Sequence, residues 1–282
     1  MSVWLITGTS SGFGREFVTQ LLCRGEKVIA TARNIDKIAD LKRLSDNVEI
    51  LELDVTSSQA ELDAIAAEAV NVFGGVDVIV NNAGYVQFGI LEEMSENDYV
   101  NQFATNVFGA INVTRAFLPH FRSRRAGTVV NIGSLSAWET HPGLGAYSAS
   151  KAALRYATEA LNQEVVPLGI KTLLVEPGQF RTGLLSPQNS NYAERGIPEY
   201  AGIAESSFEA FRNAHSKQRG DPAKGVGRII DVVRGENGAA GRDWPGELAL
   251  GPDAVAALRR KCEEMLKKLA TWEELSCSTD VV

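Results

Sequence analysis

The chain has 282 residues, of which 44% are hydrophobic and 22% charged, and it carries a formal net charge of -7 at pH 7. This size and composition are typical of a globular protein with a substantial core. The acidic balance argues against nucleic acid as a partner, because phosphate binding needs a concentrated basic face. The one dense basic run, at residues 122–125, falls between a helical pattern and a strand pattern, and we interpret it as a solvated loop.

Membrane, secretory and metal-binding segments are not predicted. Every apolar stretch is shorter than the roughly 18 residues that span a bilayer. The first strand pattern begins at Val3, which leaves no room for a cleavable signal peptide before it. The three cysteines lack CxxC or zinc-ligand spacing, and we expect Cys23 to be a small core residue of the first helix. These cysteines fit a reducing, cytoplasmic setting. The three histidines are scattered, so we expect no metal site.

Short apolar strand patterns alternate with helical patterns. The predicted strands are Val3–Thr7, Lys27–Ala32, Val48–Leu53, Val76–Asn81, Thr128–Ile132, Lys171–Glu176 and Glu247–Leu250. The predicted helices include Ser57–Phe73, Ser95–Phe121 and Ala146–Val166, with apolar residues three and four positions apart. Strands that are apolar almost throughout indicate a sheet covered by helices on both faces. The repeated βαβ pattern predicts a doubly wound parallel α/β sheet in a single domain over residues 1–282.

Two regions depart from this pattern. Residues 183–220 are rich in Ser, Asn, Pro and Gly with scattered aromatic residues, and we predict a mobile lid over a substrate. The alternative is a poorly ordered surface excursion. From about residue 253 to Leu269 the pattern predicts an amphipathic helix that packs on the body of the protein or on a neighbouring subunit.

A glycine-rich turn follows the first strand. Glycines at positions 8, 12 and 14 lie between the strand pattern and a helical pattern. This arrangement suits a tight turn, close approach of the backbone to a pyrophosphate, and close packing of helix on strand. The helix N-terminus would offer free N–H groups to phosphates. A nucleotide site is the favoured interpretation; an ordinary flexible loop is the alternative.

A second motif places Tyr147 four residues before Lys151, with Ser134 thirteen residues upstream of the tyrosine. The i, i+4 spacing puts both side chains on one face of a helix. We expect the ammonium to lower the pKa of the phenol from about 10 toward neutrality. Such a phenol can give or take a proton when a ketone is reduced or an alcohol oxidised. Taken alone the pair is weak evidence, since most such pairs are surface neighbours.

Together these motifs resemble the short-chain dehydrogenase/reductase family, whose sheet is a Rossmann fold. The resemblance is close over residues 3–182 and loose beyond. The family's TGxxxGxG motif is matched from Thr7 to Gly14, with Phe13 where isoleucine is usual. Its other motifs are matched by Asn81-Asn-Ala-Gly84, Ser134, Tyr147 with Lys151, and Pro177-Gly178 with Thr182 following.

The resemblance implies a role for each matched residue. Tyr147 would donate a proton to a carbonyl oxygen as the nicotinamide delivers hydride, and Ser134 would polarise that carbonyl. Lys151 would bind the nicotinamide ribose, and Asn106 would complete a proton relay through water. The cofactor site implied by the resemblance comprises Gly8, Ser10, Ser11, Gly12, Phe13, Gly14, Arg33, Asp54, Val55, Asn81, Ala83, Gly84, Tyr147, Lys151, Pro177, Gly178 and Thr182.

The residues after the second strand favour NADP(H). Ala32 and Arg33 stand where an NAD enzyme would typically place a carboxylate for the ribose 2′-hydroxyl. A guanidinium can hold a 2′-phosphate through charge-assisted bonds. Alternatively, Arg33 stacks on the adenine and the specificity is mixed. Asp54 resembles the family residue that binds the adenine amino group, although it could instead cap the helix that starts near Ser57.

The substrate side is predicted to be apolar. Trp138, His141, Phe180, Leu184 and Leu185 are candidates to line it, and each could equally belong to the core. We expect an oxidoreductase that interconverts a medium-to-large apolar ketone or aldehyde and an alcohol. The alternatives are an NAD-linked dehydrogenase or imine reductase using the same site, and a non-catalytic NADP-binding sensor or scaffold. The resemblance suggests a homo-oligomer, dimer or tetramer, formed through the helices at 95–121 and 146–166.

Overall fold

The computed structural model describes residues 1–186, 189–193 and 196–281. The strands found there are β1 (Val3–Ile6), β2 (Lys27–Ala32), β3 (Val48–Glu52), β4 (Val78–Asn81), β5 (Val86–Phe88), β6 (Gly127–Ile132), β7 (Ile170–Pro177), β8 (Ser190–Tyr192) and β9 (Glu247–Leu250). Seven of them form one parallel sheet in the order β3-β2-β1-β4-β6-β7-β9. The chain progresses outward from β1 in both directions, which defines a switch point between β1 and β4.

Helices cover both faces of this sheet. The helices of the described residues are α1 (Gly12–Cys23), α2 (Gln59–Phe73), α3 (Glu96–Phe103), α4 (Ala110–Arg124), α5 (Gly145–Val165), α6 (Ala201–Ala214), α7 (Pro222–Arg234) and α8 (Pro252–Cys277). The alternation of side chains along β1 separates the two cores, because successive residues of a strand point to opposite faces. Trp4 and Ile6 pack with α1 and α7, whereas Val3 and Leu5 pack with α2 and α4.

The predicted fold is confirmed: a single Rossmann-like domain with a doubly wound parallel sheet. The bounds predicted for β2 and β9 are those observed, and the other strands of the sheet differ by one or two residues at an end. The sequence patterns missed β5 and β8, which pair in parallel as a separate two-stranded sheet. Each has only three residues, and their pairing joins segments about a hundred residues apart, so no local periodicity marks them.

The helix predicted over Ser95–Phe121 consists of three segments. A capping box of Ser95 and Asp98 starts α3, and a π-helical turn, Ala104–Gly109, separates α3 from α4. Short π-helical turns are rare and frequently lie at functional sites. This one carries Asn106, which is buried.

The stretch 183–220 is more regular than predicted. The parts of it that the structure describes include β8 and the 14-residue helix α6, so three of the aromatic residues that look scattered in the sequence lie on regular elements. Residues 187–188 and 194–195 of the predicted lid lie outside the described residues. The signal was present in the sequence, since Ala204, Phe208 and Phe211 follow an i, i+4, i+7 pattern.

Three smaller predictions also need correction. Cys23 is exposed and does not belong to the core. The basic run at 122–125 is the last turn and C-cap of α4, and Arg124 forms an ion pair with Asp77 at 2.7 Å. The C-terminal helix α8 continues to Cys277, eight residues beyond the predicted end. None of the helices in the described part of the chain has both the length and the apolarity needed to cross a membrane.

Candidate active site

The glycine turn between β1 and α1 is held against the loop after β4. The hydroxyl of Thr7 accepts from the N–H groups of Asn82 and Ala83, at 3.0 and 2.9 Å. The amide of Asn82 donates back to the carbonyl oxygens of Thr7 and Gly8. A side chain at Gly14 would begin only 2.3 Å from the Gly8 carbonyl oxygen, so the close packing of helix on turn requires glycine there.

The N-terminus of α1 lacks a side-chain cap. Its N-cap residue, Ser11, makes no capping hydrogen bond, and the first turn contains no acidic residue. By contrast, α2 and α3 each start with a complete capping box. A helix start whose N–H groups are left without a side-chain acceptor is suited to an anionic ligand, because the dipole and the N–H groups both favour negative charge. Ser10 and Ser11 are exposed beside this turn.

Arg33 lies just beyond β2, next to the buried Ala32, with its side chain exposed. Asp54 follows β3, and one of its carboxylate oxygens accepts from the N–H and the hydroxyl of Thr56, at 2.9 and 2.7 Å. The N-cap of α2 is Ser58, so the alternative in which Asp54 caps that helix is wrong. The predicted contact of Asp54 with adenine stays a prediction. Val55 is buried against Gly109.

Asn81 connects three elements below the site. Its amide nitrogen donates to the hydroxyl of Thr114 on α4, at 2.9 Å, and to the side chain of Asn131 on β6, at 2.8 Å. This buried bridge fixes β4 against its neighbours. The cofactor contact predicted for Asn81 stays a prediction, and it would have to use groups other than this amide nitrogen.

Asn106 and Lys151 converge on Gly84. A Cβ at Gly84 would lie 3.1 Å from the side-chain oxygen of Asn106 and 3.8 Å from the Lys151 Nζ. The π-helical turn presents Asn106 to the backbone of Tyr85, where it accepts from the N–H and donates to the carbonyl. The same amide donates to Ser150, whose hydroxyl bonds the Tyr147 carbonyl oxygen. Asn106 is thus linked to the helix that carries Tyr147 and Lys151.

Lys151 is buried on α5. Its Nζ donates to the carbonyl oxygen of Ile132 at 2.8 Å, at the end of β6 and two residues before Ser134. Burial penalises the charged ammonium and lowers the pKa of Lys151 to about 8. The lysine is therefore a buried group that titrates close to physiological pH.

Tyr147 is also buried, on the same face of α5. Burial raises the pKa of its phenol above the usual 10, and the hydrogen bond with the Ser134 side chain opposes this only in part. The Lys151 Nζ lies 5.8 Å from the centre of the tyrosine ring. The expectation that Lys151 brings the phenol pKa toward neutrality is therefore wrong: desolvation is the larger effect here.

Ser134 is held by a short turn after β6. It is the N-cap of the 3₁₀ turn Leu135–Ala137, and its Oγ accepts from the N–H of Ser136 at 3.0 Å. Ser136 therefore holds the Ser134 hydroxyl through its main-chain N–H. The structure brings Ser134, Tyr147, Lys151 and Asn106 together, as the sequence predicted for four residues on three separate elements.

The loop after β7 closes over the glycine turn. The β-carbon of Thr182 lies 3.3 Å from where a side chain at Gly12 would begin, and the hydroxyl of Thr182 accepts from the N–H of Leu184. Sequence reasoning missed Asp253, at the start of α8, which accepts from the N–H of Gln179 at 2.6 Å. A Cβ at Gly178 would overlap this carboxylate, at 2.0 Å. Asp253 thus ties α8 to the loop that carries Thr182.

An apolar cluster surrounds the Tyr147 ring. It comprises Val86, Phe88, Leu144 and Tyr147, with Leu184, Leu185, Tyr192, Phe208 and Phe211 packed against them. The rings of Phe88 and Tyr192 stack at 4.7 Å. The short β5–β8 pair and α6 deliver these aromatic residues, so the elements that the sequence patterns missed build the wall next to the catalytic tyrosine candidate.

The other predicted lining residues do not belong to this apolar cluster, and their place beside a substrate stays a prediction. Phe180 packs edge-on against Phe13, at 5.1 Å, within the core around α1 and α7. His141 is exposed. Trp138 donates its indole N–H to Glu176 at 2.8 Å, and the Arg155 guanidinium lies 4.3 Å from its ring centre. Sequence reasoning missed Glu176, a buried carboxylate whose pKa burial raises.

The sequence and the structure agree with one family of proteins. A family profile described as short chain dehydrogenase matches residues 2–193 of the chain. The chain belongs to the short-chain dehydrogenase/reductase family of oxidoreductases. Oxidoreductase BOA17 of Botryotinia fuckeliana is 30% identical over 279 residues, 98% of each chain. A 3-ketodihydrosphingosine reductase of Bacteroides thetaiotaomicron is 39% identical over 67% of this chain and 71% of its own.

Solved structures of this family superpose over nearly the whole chain. A short-chain dehydrogenase from Streptomyces avermitilis has a TM-score of 0.88 at 40% identity, with 99% of this chain and 98% of that one covered. A short-chain dehydrogenase/reductase from Burkholderia phymatum, in complex with NAD, has a TM-score of 0.80 at 25% identity and 95% coverage of both. ElxO with NADP bound has a TM-score of 0.72 at 25% identity, over 90% of this chain and 99% of that one. Related structures therefore hold either cofactor.

The residues of this short-chain dehydrogenase/reductase fit a dinucleotide at the switch point. The uncapped start of α1 suits the pyrophosphate, and Gly84 leaves open a cradle bordered by Asn106 and Lys151. Across the described ranges, no group of three or more His, Cys, Asp or Glu side chains is arranged to hold a metal ion.

Proposed function

We propose that this protein is an NADP(H)-dependent oxidoreductase that interconverts a ketone or aldehyde and an alcohol. The observation that carries the proposal is the convergence of four side chains at one end of the sheet. The Ser134 side chain lies near enough to the Tyr147 phenol to oppose the rise of its pKa, while Lys151 and Asn106 border Gly84 beside it. A proton donor, a hydroxyl that polarises a carbonyl, and a buried cation are what hydride transfer to a carbonyl requires.

In the reducing direction, Tyr147 is the acid. Since burial raises its pKa, the phenol is protonated at neutral pH and can give its proton to a developing alkoxide. Ser134 donates a hydrogen bond to the same oxygen and fixes its position. The nicotinamide supplies the hydride when it is bound.

Lys151 has two tasks in this proposal. Its buried ammonium binds ribose hydroxyls, and together with Asn106 it passes a proton back toward Tyr147. The hydrogen bond from the Lys151 Nζ to the Ile132 carbonyl oxygen supports both tasks, because it limits the motion of a long side chain. Thr182 would bind the carboxamide, and its position against Gly12 supports this.

NADP(H) is the proposed cofactor. The exposed guanidinium of Arg33 follows β2, where the chain presents Ala32 in place of a carboxylate. A 2′-phosphate at this point would meet a cation and no acidic side chain from these two residues. The same proposal includes the other predicted contacts with the cofactor. They are made by the glycine turn and by Asp54, Val55, Asn81, Ala83, Pro177 and Gly178.

The proposed substrate is medium-to-large and largely apolar. The support is the cluster around Tyr147, in which aromatic and leucine side chains provide the surface next to the reacting group. The Bacteroides relative is named as a reductase of 3-ketodihydrosphingosine, which is a ketone with an apolar chain. Within the cluster, Val86, Phe88 and Leu144 form the wall against which the aromatic residues of the stretch 183–220 close as a lid.

We further propose a homo-oligomer formed through α3, α4 and α5, in the cytoplasm. Phe108, in the π-helical turn, and Tyr156, on α5, leave apolar surface exposed on these elements. All three cysteines are free, which suits a reducing compartment.

A cofactor and substrate screen tests the proposed function. The purified protein is mixed with NADPH or NADH and a panel of apolar ketones, aldehydes and imines, and the loss of absorbance at the reduced nicotinamide is followed. We expect turnover of a ketone or aldehyde with NADPH, and none with Tyr147→Phe. Turnover confined to imines, or a preference for NADH, would favour the two enzymatic alternatives. Tight NADPH binding with no turnover of any carbonyl would favour the sensor.

A further inference from the structure

The C-terminal helix α8 leaves the body of the protein after its first two turns. Ala254 and Ala257 are buried against the domain, but from Cys262 to Cys277 every residue is exposed. The helix therefore extends over 16 residues, or about 24 Å, without covering from the described part of the chain.

The exposed part is amphipathic, and its apolar residues follow a coiled-coil pattern. Positions 258, 262, 265, 269, 272 and 276 are spaced by alternating steps of four and three, as in the seam of a heptad repeat. Four of these positions carry Leu258, Met265, Leu269 and Trp272. The exposed fractions of the last three are 47%, 61% and 59%. This helix segment therefore carries a packing seam that no residue in the described part of the chain covers.

This seam continues the face by which α8 packs on the body. Taking 100° per residue, positions 254, 258, 265, 269, 272 and 276 all lie within about 60° of one another around the helix axis. On the opposite side, Glu263 stands four residues before Lys267, an i, i+4 order that supports an exposed helix. One side is thus suited to water and the other to a second helix.

The side chains along the seam favour an antiparallel partner with the same sequence. If residues whose numbers add to 534 face each other, Trp272 meets Cys262 and Met265 meets Leu269. Large residues then face small or medium ones, whereas a parallel pair would set Trp272 against its own copy. The same register brings Arg259 of one copy beside Glu273 of the other, since both stand at the e positions that face each other in an antiparallel pair. Size along the seam and charge at its two ends are both complementary in this orientation.

We infer that α8 of two copies of this chain pair as an antiparallel coiled coil, with a two-fold axis close to Lys267. The interface is isologous, since each copy supplies the same surface. It differs from the proposed interface through α3, α4 and α5, and it does not depend on the proposed enzymatic function.

The charge of the helix argues against a lipid surface as the partner. Residues 259–277 carry five basic and four acidic side chains, so the polar face is nearly neutral. Helices that lie on anionic membranes are typically rich in Lys and Arg on the polar face. Along the helix, short runs of basic side chains alternate with short runs of acidic ones. Such a pattern is suited to a partner helix whose charged runs have the opposite order.

A pair of matched variants tests the interface. Leu269→Glu places a charge in the seam, whereas Ala270→Glu places the same charge at the next position, on the opposite side of the helix. Both residues are exposed, so the domain should fold in each case. By light scattering after size exclusion, we expect Leu269→Glu to have half the wild-type mass and Ala270→Glu to keep it. Equal masses for all three proteins would overturn the proposal. So would wild-type binding to phosphatidylcholine–phosphatidylglycerol vesicles that Leu269→Glu loses with no change in mass.

Cross-linking tests the orientation. The background for this test combines Cys23→Ser with Cys277→Ser, so that Cys262 in the seam is the one cysteine that remains. In an antiparallel pair it faces position 272, so adding Trp272→Cys should give a covalent dimer on mild oxidation, and further adding Cys262→Ser should abolish it. A covalent dimer of this background alone, or one that persists after Cys262→Ser, would show a parallel pair and overturn the antiparallel assignment.

Discussion

The ammonium of Lys151 lies 5.8 Å from the centre of the Tyr147 ring and donates to the Ile132 carbonyl oxygen at 2.8 Å. Both groups are buried, and burial shifts each pKa toward the neutral form. The two side chains therefore share a face of α5 as the sequence predicts, but their protonation is governed by desolvation. In the free protein, this site holds a neutral phenol beside a lysine that titrates near pH 8.

Replacing Tyr147 by phenylalanine should abolish turnover while NADPH still binds. Only the hydroxyl is removed, and Lys151 remains to hold the ribose. Positioned acid–base catalysis contributes about 10²–10⁴-fold, so we expect kcat to fall by at least two orders of magnitude. Steady-state kinetics and a titration of NADPH fluorescence measure the two effects. Tyr156→Phe, on the exposed side of the same helix, is the control. A Tyr147→Phe enzyme with more than about a tenth of the wild-type kcat would refute the role of the phenol.

The phenol of Tyr147 should stay protonated through the neutral and mildly alkaline range. Its pKa is raised above 10 by burial, so no phenolate from this residue should form below about pH 10. The difference in absorbance at the phenolate band between the wild type and Tyr147→Phe, followed from pH 6 to pH 9.5, isolates this group. A phenolate signal in that difference below pH 9 would restore the lower pKa that the spacing of Tyr147 and Lys151 suggests.

Burial of Lys151 should make the wild type gain stability with pH relative to Lys151→Met. The pKa of the lysine is about 8 in the folded protein, below the ordinary value of 10.5. Between these values the unfolded chain binds more protons, so the free energy of unfolding rises with pH, by up to about 1.4 kcal/mol per unit. Below pH 8 the full cost of burying the charge remains. Urea unfolding of both proteins at pH 7.5, 8.5 and 9.5 gives the comparison; parallel pH dependences would contradict the low pKa.

Replacing Arg33 by aspartate should weaken NADPH much more than NADH. One charge-assisted contact is lost, worth about 1.5–3 kcal/mol, or roughly 10- to 100-fold in Kd, and repulsion is added. NADH lacks the 2′-phosphate and should be affected far less. Isothermal titration of both cofactors measures the difference. Arg43→Asp makes the same charge change at an exposed position ten residues further on and should affect both cofactors little. Equal weakening of NADPH and NADH by Arg33→Asp would show that Arg33 does not select the cofactor.

The described part of residues 183–220 should become more protected when ligands bind. Phe208 and Phe211 on α6 are only partly buried against Phe88, so this helix has little core to hold it in the free protein. NADPH and a ketone beside Tyr147 would extend the apolar contacts. Hydrogen exchange should therefore be fast in α6 without ligands and slower with both, while α7, whose Ile229 and Ile230 are buried, serves as the internal reference. Equal protection of α6 in both states would mean a fixed wall without a lid motion.

The fold could be predicted because its signals are local. Strands covered on both faces are continuously apolar, as β4 is, and the predicted bounds of β2 and β9 agree with the structure to the residue. The glycines at 8, 12 and 14 are required by the tight backbone geometry of a single turn. Ser134, Tyr147 and Lys151 stand at fixed distances along the chain from strands of the sheet. Order and spacing were enough to place Ser134, Tyr147 and Lys151 at one end of the sheet, and the family resemblance added Asn106.

Only the tertiary structure decided what depends on contacts between distant segments. The pairing of β5 with β8 joins residues 86–88 and 190–192, and it brings Tyr192 onto Phe88 beside Tyr147. Phe180 went to the core because the Phe13 ring lies against it, although its position after β7 suggested the substrate side. The direction in which the pKa of Tyr147 shifts likewise depends on the residues packed around its phenol. A sequence shows which charge stands four residues away, but desolvation depends on every group that packs around the phenol, and those groups come from four different segments of the chain.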